Sequence, residues 1–473
     1  MIRFLAPART RREPATRREF LRIGGLAGLG SLGLARGASG RGETSGPGFG
    51  KARSVILVYA NGGQSQFETW DPKPEAPREI RGAFDAIASR VPGTMVCEHL
   101  PRLASLADRY AILRSVSHDD LDHGSAAYLA LTGRYHPRKS SNPLPSPNDF
   151  PTLGAVLKRV RPSESSPYTA AHINMPVVVP ELPAPGQDGG FLGRADAPLV
   201  VGDPTDPEGS LPDLELPDAV PTVRMEARRS LLEAIERARR EAMGVAGTDE
   251  HQAMYRNAYA MLSDPSVRQA FDLAAEPDRV RERYGAFRSG QACLLARRLV
   301  EAGVPWITVS WNHSARGQDR RPDEFDWLGW DTHNDIFDVM EQLLPRFDWS
   351  LSALLEDLDE RGLLDETLVV CMGEFGRAPR VALEPRFSGA SPGRKHWANA
   401  YSILVAGAGT ARGSVVGGTD RMGAYPTSDR VGPWDVAATM FASLGVDPDG
   451  EYRDPLNRPF PVTVGKPISA LYR

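Results

Sequence analysis

Four short stretches of the chain concentrate side chains that bind metals or move protons. The densest is Ser117-His118-Asp119-Asp120-Leu121-Asp122-His123-Gly124-Ser125, which sets His118 and His123 among Asp119, Asp120 and Asp122. Imidazole nitrogen and carboxylate oxygen are the donors that Zn, Mn and Fe sites use. The run from Ala126 to Leu131 reads as a helix, so His123 and Ser125 fall near its N-terminus, where free N–H groups and the dipole favour an anion. The second stretch is Gly329-Trp330-Asp331-Thr332-His333-Asn334-Asp335. Asp331 and His333 are two apart, a spacing that in an extended loop puts both on one side of the backbone, able to hold one ion; the alternative makes Asp331 or Thr332 a helix N-cap. The third is Glu374, at the end of an apolar run, where it can serve a site, cap a turn or pair with Arg377. The fourth is Arg394-Lys395-His396-Trp397, holding the last histidine of the chain. His313 is a lone histidine in a polar loop.

These residues need elements to position them. Thr367 to Met372 is a short apolar, β-branched run of the kind buried on both faces of a parallel sheet, and Glu374 follows its carboxyl end, where ligands of open α/β sheets bind. Ser54 to Ala60, Tyr110 to Val116, Trp306 to Trp311 and Ser402 to Ala406 read as further strands. Leu351, Leu354, Leu355 and Leu358 are spaced for an amphipathic helix over 347–362, and 291–303 for another. The alternation of helix and strand predicts an α/β fold. Asn61-Gly62-Gly63-Gln64-Ser65 is the turn after the first strand, its glycines letting backbone approach a ligand. Glu68 and Asp71 follow it, either near the site or as loop residues.

Taken together, these motifs resemble the alkaline phosphatase-like superfamily of sulfatases, phosphatases and phosphodiesterases. The helix and strand ending in Gly373-Glu374-Phe375-Gly376 are similar to that family's late core, and Leu131-Thr132-Gly133-Arg134-Tyr135 is similar to the close of its nucleophile helix. The whole chain most resembles an exported branch called domain of unknown function 1501. The resemblance implies a three-layer α/β/α fold with a mostly parallel central sheet. It also implies a divalent metal, Zn first, with Mn, Fe and Ca as alternatives, held by Asp331, His333, Glu374 and His396, a set sufficient for one tetrahedral or five-coordinate ion. Arg394 and Lys395 would then neutralise an anionic substrate oxygen. Three departures from the family pattern stand out. Asn61 and Gly62 replace a pair of metal-binding aspartates, Glu68 being the nearest carboxylate that could compensate. Phe375 replaces a histidine and has no lone pair to give. The place of the nucleophile, counted back from Thr132, falls on His123, so either the covalent step is absent, or Ser125 performs it from a shifted register, or His123 is itself a ligand or phosphoryl acceptor. Two functions stay open: a hydrolase of phosphate or sulfate esters on small molecules or polysaccharides, and a binding or scaffolding protein that keeps the fold without turnover.

The 473 residues are 41% hydrophobic and 25% charged, with a net charge of −4. Nothing in that balance favours nucleic acid. Cys97, Cys293 and Cys371 are too widely spaced for a zinc knuckle or a disulfide framework. Arg17-Arg18 before the weakly apolar, glycine-rich run from Ile23 to Ala35 reads as a twin-arginine signal, which the export machinery recognises. That run is too short to insert stably in a bilayer, for which roughly 20 apolar residues are needed. The expected organisation is a signal and linker over 1–53 and one domain over 54–473, exported to the periplasm or beyond, with a Pro- and Gly-rich then helical insertion over about 137–300.

Overall fold

The computed structural model describes residues 46–178, 182–206, 269–312 and 329–473, with scattered positions in 228–238. The signal segment, His313 and most of the helices expected over 222–268 lie outside the described residues. Eight strands form the central sheet: β1 (Ser54–Tyr59), β2 (Tyr110–Val116), β3 (Ala170–Ile173), β4 (Leu199–Val201), β5 (Trp306–Ser310), β6 (Thr367–Met372), β7 (Tyr401–Ala406) and β8 (Val415–Val416). Their order is β8-β2-β7-β6-β1-β5-β3-β4. β1 lies between β6 and β5, parallel to both, with Tyr59 opposite Met372 and Ser310. Only β7 runs against its neighbours, pairing antiparallel with β2 and β6.

Both faces of this sheet are covered, which is why its central strands are continuously apolar. Along β1, Ile56 and Val58 point into one core and Val55, Leu57 and Tyr59 into the other. The first core is closed by α3 (Arg288–Glu301) and α4 (Ile336–Glu360); the second by α1 (His123–Thr132), α2 (Leu153–Val160) and α5 (Pro433–Ser443). The three-layer α/β/α expectation therefore holds. α4 runs 25 residues with Pro345 inside it, so it begins well before the helix read at 347. Proline lacks the N–H of a helix interior, and that break hides the first turns from the sequence pattern. The stretch 137–300 is no simple insertion: it supplies α2, α3 and the sheet strands β3 and β4. Those strands are four and three residues long, too short to show a period between prolines and glycines. Cys97, Cys293 and Cys371 are all buried and free. Among the described residues, no helix is long and apolar enough to cross a membrane.

Candidate metal centre

Three loops meet at the carboxyl edge of the sheet. The first leaves β2 and enters α1 at His123, after Asp122 in extended conformation. The second, residues 329–335, precedes α4. The third leaves β6 through Glu374 and Phe375 to Gly376-Arg377, which pairs antiparallel with His396-Trp397. One tight turn supports all of this: Gly63 has a φ of +80°, and a Cβ there would lie 2.6 Å from the Phe375 ring.

Here the potential ligand atoms of His123, Asp331, His333 and His396 all come within 4.8 Å of one another. His333 Nε2 lies 2.9 Å from His396 Nε2 and 3.3 Å from Asp331 Oδ1. His123 Nε2 lies 3.0 Å from Asp331 Oδ2, an ion-pair contact without hydrogen-bond alignment. The other ring nitrogens of two histidines are committed. His396 Nδ1 sits 2.7 Å from the Leu121 carbonyl oxygen and must donate to it, which leaves its Nε2 a lone pair facing His333. His123 Nδ1 sits 2.6 Å from Glu374 Oε1. Imidazole lone pairs converging on a carboxylate repel one another unless a proton or a cation lies between them, so this donor set fits a divalent ion. The rings are held by stacking: Phe387 lies parallel to His333 at 3.7 Å, and Phe375 packs on His123 and His396.

Electrostatics follow the same layout. Burial opposes a charge on His123, but Asp331 and Glu374 outweigh it and raise its pKa. Burial pushes His333 down to about 2 and lowers His396 as well. Burial also works against the Asp331 carboxylate, yet the His123 and Arg377 charges hold its pKa well below the usual range. Arg377, which pairs not with Glu374 but with Asp331 at 2.6 Å, is fully buried and also donates to the carbonyls of Gly62, Gly63 and Arg394. Nothing in the sequence singled it out as a site residue.

Several expected site residues stand elsewhere. Glu374, expected as a ligand, is one layer behind: its carboxylate accepts from His123 Nδ1, from the Gly62 N–H at 3.0 Å and from the Tyr59 hydroxyl at 3.1 Å. Ser125 is buried, donates to Asp120 Oδ1 at 2.6 Å and accepts from the Ser141 N–H at 3.2 Å. His118 uses both nitrogens, Nε2 on the Glu374 carbonyl and Nδ1 on the Asp120 N–H. Asp120 also accepts from the Ser140 N–H, and Asp122 from the Asn142 amide. Arg394 and Lys395 are not placed for an anion. Arg394 is buried against Glu68, with Nη2 2.8 Å from Oε1, and Lys395 reaches Glu384 at 2.6 Å. Glu68 is thereby spent on Arg394 and Ser65 and compensates for nothing at the cluster. Asn61 is buried beside Asn312, its Oδ1 without a hydrogen bond.

Fold and site together define a mixed α/β protein with a candidate metal centre at the carboxyl edge of a mostly parallel sheet. More particularly, the chain belongs to the family described as protein of unknown function (DUF1501), whose model matches residues 52–472. No curated protein matches it. Among solved structures it is similar to a protein in the alkaline phosphatase superfamily from Vibrio parahaemolyticus, at 12% identity and a TM-score of 0.37, over 85% of this chain and 68% of that one. It is also similar to phosphonate monoester hydrolases from Silicibacter pomeroyi, at 13% identity and TM-score 0.37 over 83% and 73% of the two chains, and Agrobacterium radiobacter, at 13% identity and TM-score 0.37 over 89% and 77%. Likeness of this size leaves the reaction to be argued from the chain's own residues.

Proposed function

We propose that this protein is an exported, metal-dependent hydrolase of phosphate or sulfate esters in which water, not a protein side chain, attacks. One observation carries the reading: the ligating atoms of His123, Asp331, His333 and His396 converge within 4.8 Å at the carboxyl edge of the sheet. Three imidazoles favour Zn, Mn or Fe over Ca, which prefers an all-oxygen shell. Bound by these residues, such an ion would supply Lewis-acid polarisation of an ester oxygen and activation of water. The chain's own residues do the rest. Leu121 and Glu374 fix the rings of His396 and His123, and Arg377 holds Asp331 and tempers its charge. Ser125 is fully buried, donating a hydrogen bond to Asp120 Oδ1 and accepting one from the Ser141 N–H, so its hydroxyl is closed to a substrate, and His123 stands among the ligands instead. The substrate class is an anionic ester on a small molecule or polysaccharide. Export through the twin-arginine machinery is part of the proposal and rests on Arg17-Arg18 and the weak apolar run behind them.

That same missing nucleophile favours a second reading, a binding protein with a structural ion. Protein stripped of metal and reloaded with Zn, Mn or Fe in turn, then offered an aryl phosphate, an aryl sulfate and a phosphodiester, decides between them. Hydrolysis of one class that disappears with chelator supports the enzyme. Stoichiometric metal with no turnover of any class supports binding.

A further inference from the structure

We infer that Glu374 is a positioning residue which, anchored by Tyr59 and Gly62, turns the lone pair of His123 toward the metal centre and never touches the ion. The inference deepens the proposed function and rests on it. It departs from what the strand-end position of Glu374 suggests, because that position is where a carboxylate ligand would be expected.

The hydrogen bonds around the carboxylate hold it behind His123. Glu374 is fully buried. Oε1 faces His123 Nδ1 at 2.6 Å and the Gly62 N–H at 3.0 Å; Oε2 faces the Tyr59 hydroxyl at 3.1 Å and the same N–H at 3.2 Å. The Gly62 donor is a backbone amide N–H, which does not ionise, and the Tyr59 pKa is raised by burial and by Glu374, so both stay donors. Three donors, with the Gly62 N–H shared between both oxygens, make four contacts on a carboxylate that has about four lone-pair sites, and Glu374 is not among the residues whose ligand atoms converge. The arrangement also decides the tautomer of His123. A carboxylate held by two fixed donors can only accept, so Nδ1 carries hydrogen and Nε2 is the nitrogen turned toward Asp331. A carboxylate behind a ligating imidazole raises its basicity and fixes its ring, and loss of such a partner lowers metal affinity on the order of 10–100-fold. Tyr59 is the last residue of β1 and Glu374 follows β6, its parallel neighbour, so the alignment of His123 is tied to the register of the sheet centre.

The test uses Co(II), whose visible bands report the ligand set, together with metal affinity and the His123 Nδ1–H proton resonance of metal-free protein. Glu374→Gln keeps the Co(II) bands of the wild type and weakens binding on the order of 10–100-fold. Tyr59→Phe weakens it less, and adds nothing in the Glu374→Gln background, because it acts only through that carboxylate. The far-downfield Nδ1–H signal of the wild type moves upfield in Glu374→Gln. Changed Co(II) bands in Glu374→Gln overturn the inference by making Glu374 a ligand, and unchanged affinity overturns it by making the contact idle. Wild type that shows the Nδ1–H signal yet binds no Co(II) refutes the metal centre itself, a separate failure.

Discussion

At the level of single residues, two groups that lie two positions apart have different roles. His123→Ala removes a ligand, so metal content and ester turnover fall together, whereas Ser125→Ala leaves metal bound and turnover within a few-fold of wild type. Turnover abolished in Ser125→Ala with metal retained would make serine the nucleophile after all. The same histidine sets a pH dependence. In metal-free protein its pKa, ordinarily 6.5, is raised to about 10, so at neutral pH the ring is charged and an ion must displace a proton from Nε2. Metal affinity therefore rises with pH through the neutral range up to about 10, a trend that isothermal titration in buffers of different ionisation enthalpy reads directly. For the metal-free fold the sign is opposite. The charged ring adds stability in full below 6.5, and that stability is lost as pH rises through about 10. Residue types and the family resemblance together draw attention to all four clustered residues, but they put Glu374 in the ligand set and His123 at the place of the nucleophile. They could not reveal how Glu374 is spent. Its partners Gly62 and Tyr59 lie more than 300 positions away, 312 and 315 residues respectively, and only the fold brings them together. The role of Arg394 is hidden from the sequence for the same reason, since Glu68 lies 326 residues from it.

At the scale of elements, the strands at the sheet centre were legible and the edge was not. β6 falls at the expected residues because burial on both faces leaves an unbroken apolar run, and β2 does so on the apolar stretch from Tyr110 to Leu113 that precedes Arg114. β3 and β4 were lost among prolines, and α4 was read from its second half because Pro345 interrupts the pattern. The loop connecting the Gly376-Arg377 and His396-Trp397 strands depends on one buried ion pair. Arg394 joins Glu68 to the carbonyls of Ile80, Ala378 and Pro379, tying the turn after β1 to the strand that carries His396. Arg394→Ala leaves the Glu68 carboxylate buried and unpaired, and removing one partner of such a pair costs about 3–5 kcal/mol. A denaturant midpoint shows that loss if the pair is structural. A variant of wild-type stability with altered anion affinity would instead return Arg394 to the substrate side.

For the whole molecule, the proposed export bears on how the proposed metal would be loaded. A twin-arginine signal delivers a chain already folded, so the buried His123–Asp331–His333–His396 cluster would be assembled before the protein leaves the cytoplasm. Replacing Arg17 and Arg18 with Lys should hold the protein in the cytoplasm; unchanged export of that variant would remove the export claim and leave the centre untouched. Binding to the folded state alone adds stability by mass action, about 2.7 kcal/mol when free metal is 100 times its dissociation constant. Chelation should therefore lower the melting temperature of the wild type and leave that of His333→Ala unmoved. The most direct test of the centre is metal stoichiometry: chelator-stripped wild type and the Asp331→Ala, His333→Ala and His396→Ala variants are dialysed against Zn, and bound metal is measured by elemental analysis. The account predicts one Zn per wild-type chain and a large loss in each variant; wild type that takes up no metal, or variants that all retain it in full, would contradict it.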